Sequence, residues 1–152
     1  MEKKLRDIYC ENACKHIGKG FQHLGRGEVL DCAGLLIETS KDTGIYEDGQ
    51  DMLEFENYSN KPDGRSLVKH IHKFCNVIEM KDLKKADILL FAFGGRATHL
   101  GIYLGDHLND GGEFFIHAYI LQKKVVLTRF DDEWKNAVVG TYSYKNIDEE
   151  IL

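Results

Sequence analysis

Proline is nearly missing from this chain. Its 152 residues include one, Pro62, which excludes a proline-rich stalk or polyproline linker. Long apolar runs are missing too, so no stretch is built to cross a bilayer as a helix. Cationic excess is lacking: 20 Lys and Arg stand against 25 Asp and Glu, a formal charge of −5, and a nucleic-acid partner is not indicated. No internal repeat or low-complexity segment interrupts the chain. The four cysteines, Cys10, Cys14, Cys32 and Cys75, fall at spacings that give neither a disulfide framework nor paired zinc knuckles. The opening Met1-Glu2-Lys3-Lys4 leads into no apolar stretch. The expectation is therefore synthesis in the cytoplasm without a signal peptide, with free thiols.

What is present is an ordinary globular composition, 43% apolar and 30% charged. A chain of this length folds as one domain, 1–152, and buries roughly 68–70% of its unfolded surface. Leu5, Ile8, Ala13 and Ile17 recur among charges and predict an amphipathic helix over 2–17. Residues 18–30 are glycine-rich and read as irregular. A helix over 32–41 closes at Gly44, and another spans 65–74. The turn Asn60-Lys61-Pro62-Asp63-Gly64 lies between them. Strands are expected at 87–93, 99–104, 113–119, 124–128 and 137–144, separated by Gly-Asp and Asn-Asp-Gly-Gly turns. Helices first and a β-meander after is an α+β pattern.

The stretch Asp31-Cys32-Ala33-Gly34-Leu35-Leu36 carries the most chemistry. Asp31 is a natural N-cap, which puts Cys32 at the first helical position. Free amides and the positive end of the helix dipole there favour a thiolate, the form that attacks a carbonyl. Two histidines, His99 and His117, sit inside strand-like runs. By alternation His99 shares a face with Gly101 and Tyr103, opposite Leu100, Ile102 and Leu104. The apolar set is expected to face the main core, with His99 turned to the cysteine helix. His117 shares its face with Phe115 and Tyr119. Pairing of these strands brings the imidazoles together only in the right register, which sequence does not give.

Taken in order, these pieces resemble the NlpC-type cell-wall peptidases, a compact branch of the papain-like cysteine hydrolases. Asp31 to Leu35 resembles the nucleophile motif. Ala86-Asp87-Ile88-Leu89-Leu90-Phe91 resembles the first core strand, with Ala86 where glycine is usual. His99 to Gly105 resembles the catalytic-histidine strand, and Phe115-Ile116-His117-Ala118 the next one. Val125-Val126-Leu127 and then Trp134 resemble the closing segment. Phe21-Gln22-His23-Leu24-Gly25-Arg26, together with Tyr58 to Leu67, is similar to the phage-encoded members.

The resemblance implies a papain-like fold in which N-terminal helices carry the nucleophile and pack on a C-terminal antiparallel sheet. It implies hydrolysis of peptidoglycan stem peptides, typically between D-γ-glutamate and the diamino acid, with no metal or other cofactor. Cys32 would be the nucleophile, His99 the base, and His117 the group that orients it. The amide of Cys32 is a candidate oxyanion donor. Phe21 stands where a tyrosine is common, and Gln22, His23 and Asp31 complete a weaker set of substrate-binding or oxyanion candidates. Expected partners are the stem peptide and phage tail proteins, with action at the cell wall or as part of a virion. Three rivals stay open: a papain-like hydrolase or acyltransferase on another substrate, a tail assembly component that works by binding, and a zinc site on Cys32, His99 and His117. Cys10 and Cys14 read as packing or surface thiols, His107 as a solvated turn residue, and Trp134 as a packing residue on a short helix begun by Asp131-Asp132-Glu133.

Overall fold

The computed structural model describes residues 4–22, 25, 27–45, 65–93 and 96–148, with backbone alone at 65–67, 69–70 and 96–98. The Pro62 turn, His23, Leu24, Arg26 and most of the Tyr58–Leu67 stretch lie outside the described residues. Among those described, helix α1 (Leu5–Cys14) leads into two short strands, β1 (Gly20–Phe21) and β2 (Val29–Leu30), and then α2 (Cys32–Thr43). After α3 (Arg65–Phe74), β3 (Cys75–Val77) and a 3-10 turn (Met80–Asp82) come β4 (Ile88–Phe93), β5 (Arg96–Gly105), β6 (Phe114–Tyr119), β7 (Lys124–Arg129), α4 (Asp132–Ala137) and β8 (Val138–Tyr144). This is the expected α+β arrangement, with the helices that precede the main antiparallel sheet packed on it. The longer strands fall within three residues of their expected bounds. The segment over 18–30 departs from expectation: it contributes β1 and β2, two residues each, too short to show a period.

The described strands form one sheet in the order β2-β1-β7-β6-β5-β4-β8-β3. Every pairing is antiparallel except β1 with β2. Its two faces carry different cores. One packs Leu100, Ile102, Leu104, Ile116 and Val125 against α1 and α2 through Tyr9, Ala13, Leu35 and Leu36. The other gathers Leu89, Phe91, Tyr103, Phe115 and Phe130, with Trp134 of α4 against them.

Helix α2 is held at both ends by its own sequence. Asp31 Oδ1 accepts the Gly34 N–H at 2.7 Å, and Gly44 closes the helix in the left-handed conformation at φ +81°. Residues 32–37 of the helix are all buried, as expected of a helix packed on more than one side. A buried cation ties the ends of the chain to the sheet. Arg6 donates to Asp87 Oδ1 at 2.7 Å, to Ser143 Oγ at 2.9 Å, and through two nitrogens to Asp148 at 2.8 and 2.9 Å.

Two small residues carry constraints on the sheet. A side-chain carbon at Gly101 would lie 2.8 Å from the Phe115 ring, so glycine lets that ring lie over β5. Ala86 sits fully buried at φ +77°, the left-handed conformation that costs a residue with a side chain about 1–2 kcal/mol. Its N–H donates to Tyr103 O at 2.8 Å, which holds it there. The position that resembles a family glycine is therefore one where glycine is the relaxed choice.

Two outcomes are expected in urea denaturation. Gly101→Ala should destabilise by about 1–3 kcal/mol through overpacking against Phe115, and an unchanged midpoint would show that the ring yields freely. Ala86→Gly should change stability by less than about 1 kcal/mol, because relief of strain offsets the lost methyl and the looser unfolded chain. The same change at buried Ala13 of α1 should cost about 2 kcal/mol; equal losses at the two positions would show that Ala86 is unstrained.

Candidate active site

Cys32 opens α2 with 8% of its surface exposed. Burial pushes its thiol up to about 12, and the Asp31 carboxylate adds to the rise. The backbone N–H groups of Leu100, Ala33 and Cys32 itself pull the other way. The expectation that the helix end favours a thiolate is thus corrected: the amides are present, and desolvation outweighs them. The Leu100 amide in that set puts the sulfur against β5 next to His99.

His99 does not face the cysteine helix side of the sheet as expected. Leu100 and Ile102 take that side, in the core they share with Cys32 and Leu35. His99 points to the aromatic face, with its ring centroid 5.7 Å from Phe91, 6.1 Å from Phe93 and 5.9 Å from Tyr119. Hydrophobicity decides the outcome, because the uninterrupted apolar face of β5 is the one the helices need.

The register does bring the imidazoles together. β5 pairs with β6 through Ile102↔Ile116 and Tyr103↔Phe115. Continuing that register sets His99 across from Tyr119 and diagonal to His117. His99 Nε2 lies 2.7 Å from His117 Nδ1, with the rings at 70°. His117 Nε2 lies 2.9 Å from Thr128 Oγ1 on β7. His117 is fully buried and walled by Phe115 at 4.4 Å, Tyr119 at 4.8 Å and the edge of Trp134 at 5.1 Å. Burial holds His99 down to about 4, and burial together with the charge of His99 holds His117 down to about 2. Both rings are therefore neutral near pH 7. In the tautomer where His99 Nε2–H donates to His117 Nδ1, the lone pair of His99 Nδ1 is the proton-accepting position.

The weaker candidates divide. Asp31 caps the helix and is 2% exposed. Phe21 packs partly buried against the helix-side core, and Gln22 is exposed just after β1. His23 lies outside the described residues. Sequence reasoning missed Thr128, whose only signal is its place two residues beyond Val126 on the His117 side of β7, where His117 pairs with Val126. It also missed the aromatic wall, in which Trp134 packs as expected but directly onto His117. Among the described residues no three His, Cys, Asp or Glu side chains are placed to hold a metal ion, and no helix is long and apolar enough to cross a membrane. Cys14 Sγ lies 3.9 Å from His107 Nε2, and burial raises both the Cys10 and Cys14 thiols.

The fold has known counterparts. The chain is similar to the NlpC/p60 domain of the peptidoglycan hydrolase SagA, at 20% identity over 91% of this chain and 97% of that one, with a TM-score of 0.60. It is similar also to RipD from Mycobacterium tuberculosis, described as a non-catalytic NlpC/p60 domain protein adapted to peptidoglycan binding. That match has 12% identity over 95% and 99% of the two chains and a TM-score of 0.60. No curated protein matches the chain. The family model described as the NlpC/P60 family matches residues 18–143, and the chain belongs to that family.

Proposed function

We propose that this chain is a cysteine peptidase that hydrolyses peptidoglycan stem peptides at the bond between D-γ-glutamate and the diamino acid. The observation that carries the proposal is the 2.7 Å His99–His117 hydrogen bond on the strands beside a cysteine that opens a helix. Cys32 Sγ, held at β5 by the Leu100 N–H, attacks the scissile carbonyl carbon, and His99 Nδ1, one residue away on the same strand, takes the thiol proton, both groups resting neutral. The Cys32 N–H, at the first position of the helix, donates to the developing oxyanion. The tetrahedral intermediate collapses to a thioester as His99 passes its proton to the leaving amine. Water, deprotonated by His99, then releases the new carboxylate and restores the thiol. His117 accepts from His99 Nε2–H throughout and so keeps the ring oriented.

The setting is part of the same reading. Residues 1–152 act as one catalytic unit at the cell wall. The Phe21 to Arg26 resemblance supports a phage or prophage origin with delivery by tail proteins. Binding without hydrolysis is the second reading, favoured by the description of RipD as non-catalytic. The presence of Cys32, His99 and His117 in this chain weighs toward hydrolysis.

Mass spectrometry of purified stem peptides incubated with the protein tests the proposal. Wild type should cleave after D-γ-glutamate, and Cys32→Ala should lose roughly 10⁴-fold or more in kcat with its fold intact. Intact peptides after wild-type treatment would move the reading to binding. His99→Ala should cost more than His117→Ala, because the first removes the base and the second only its orientation; equal or reversed losses would overturn these roles.

The acid limb of kcat/KM should lie near pH 4, where burial holds His99, and activity should persist at pH 5–6. Protonation of His99 removes the base, so activity falls as pH drops through that value. A limb near 6.5, the ordinary imidazole value, would show that His99 works in water.

A further inference from the structure

The mechanism above leaves one buried nitrogen without a role. His117 Nε2 points away from His99, toward Thr128 Oγ1 at 2.9 Å. We propose that Thr128 is a positioning residue whose hydroxyl oxygen accepts the His117 Nε2 proton and so holds the histidine pair in the tautomer that leaves His99 Nδ1 open. The effect on turnover rests on the peptidase reading; the tautomer does not.

Two neutral rings joined Nε2 to Nδ1 share a single proton in that bond, which leaves two arrangements. In the first, His99 donates to His117, and the remaining proton of His117 sits on Nε2. In the second, His117 Nδ1–H donates to His99 Nε2, and His99 carries its proton on Nδ1, where it blocks the base. The first needs an acceptor beside His117 Nε2, since a buried N–H without a partner is costlier than a buried lone pair without one. Water is kept from supplying that acceptor. His117 is fully buried, with Phe115, Tyr119 and Trp134 around it. The Thr128 oxygen is the acceptor that the fold provides; in the second arrangement its O–H donates to the bare Nε2, so loss of the hydroxyl leaves the first arrangement an unpaired N–H and the second only an unpaired lone pair.

The geometry follows from register. His117 pairs with Val126 and Phe115 with Thr128 across β6 and β7, so Thr128 lies diagonal to His117 on the same face. His99 stands in the same diagonal relation one strand earlier. The three side chains thus form a line across β5, β6 and β7, and each hydrogen bond is a diagonal cross-strand contact.

Long-range nitrogen–proton NMR of the histidine rings, run on the full chain as wild type, Thr128→Val and Thr128→Ser, tests the proposal without substrate. Wild type and Thr128→Ser should carry the His117 proton on Nε2, and Thr128→Val should carry it on Nδ1. Stem-peptide turnover measured alongside should fall roughly tenfold in kcat for Thr128→Val, the equivalent of one neutral hydrogen bond, with KM unchanged and kcat restored by Thr128→Ser. A His117 tautomer that is the same in all three proteins, or a wild-type proton on Nδ1, would overturn the proposal. So would a serine variant as impaired as the valine one. If wild type cleaves no stem peptide, the peptidase reading fails, and the ring spectra still decide the role of Thr128.

Discussion

The hydrogen bond between His99 and His117 joins two strands, so it exists in one register of β5 on β6 and in no other. A slip by one residue would turn His99 toward the helices and put Leu100 among the aromatic rings. The register is fixed by burial on both faces together. Leu100, Ile102 and Ile116 must meet α2, while Phe91, Phe115 and Trp134 must meet one another. Gly101 is the hinge of this arrangement. It lets Phe115 lie across β5, and Phe115 in turn closes one side of the His117 pocket. The site is a by-product of a sheet that is packed on two sides with different materials.

That packing sets the electrostatics. The start of α2 offers Cys32 its amides, and the same helix buries the sulfur. Where the two compete, loss of water wins, and the thiol stays protonated. The imidazoles are subject to the same penalty in the opposite direction, because their charged form is the protonated one. Thiol and imidazoles therefore all rest uncharged. In the proposed mechanism charge separation is deferred to the step in which the proton crosses, so the site need not hold a buried ion pair at rest.

Much of this was legible in the sequence, because it was written in short-range patterns. The Asp31 cap, the Gly44 stop and the alternation of residues 99–104 and 113–119 each depend on neighbours within a few positions. What escaped depends on distant partners. β1 and β2 are held by β7 and by each other rather than by any pattern of their own. The side on which His99 stands differs from expectation because alternation defines two faces without saying which one the helices cover. Thr128 could be found only once β7 was laid against β6. Ala86 shows in sequence only as a replaced glycine, whereas its left-handed backbone is held by a hydrogen bond to Tyr103, far along the chain on β5.

Arg6 ties its helix to distant parts of the chain. Its partners Asp87 and Asp148 lie 81 and 142 positions further along, and a guanidinium is not left buried without them. The contacts that neutralise α1 are therefore complete only when the turn before β4 and the residues after β8 are both in place. Until then the helix has an apolar face to dock and a charge that favours water. Docking of α1 is a long-range event that closes a loop across most of the described chain.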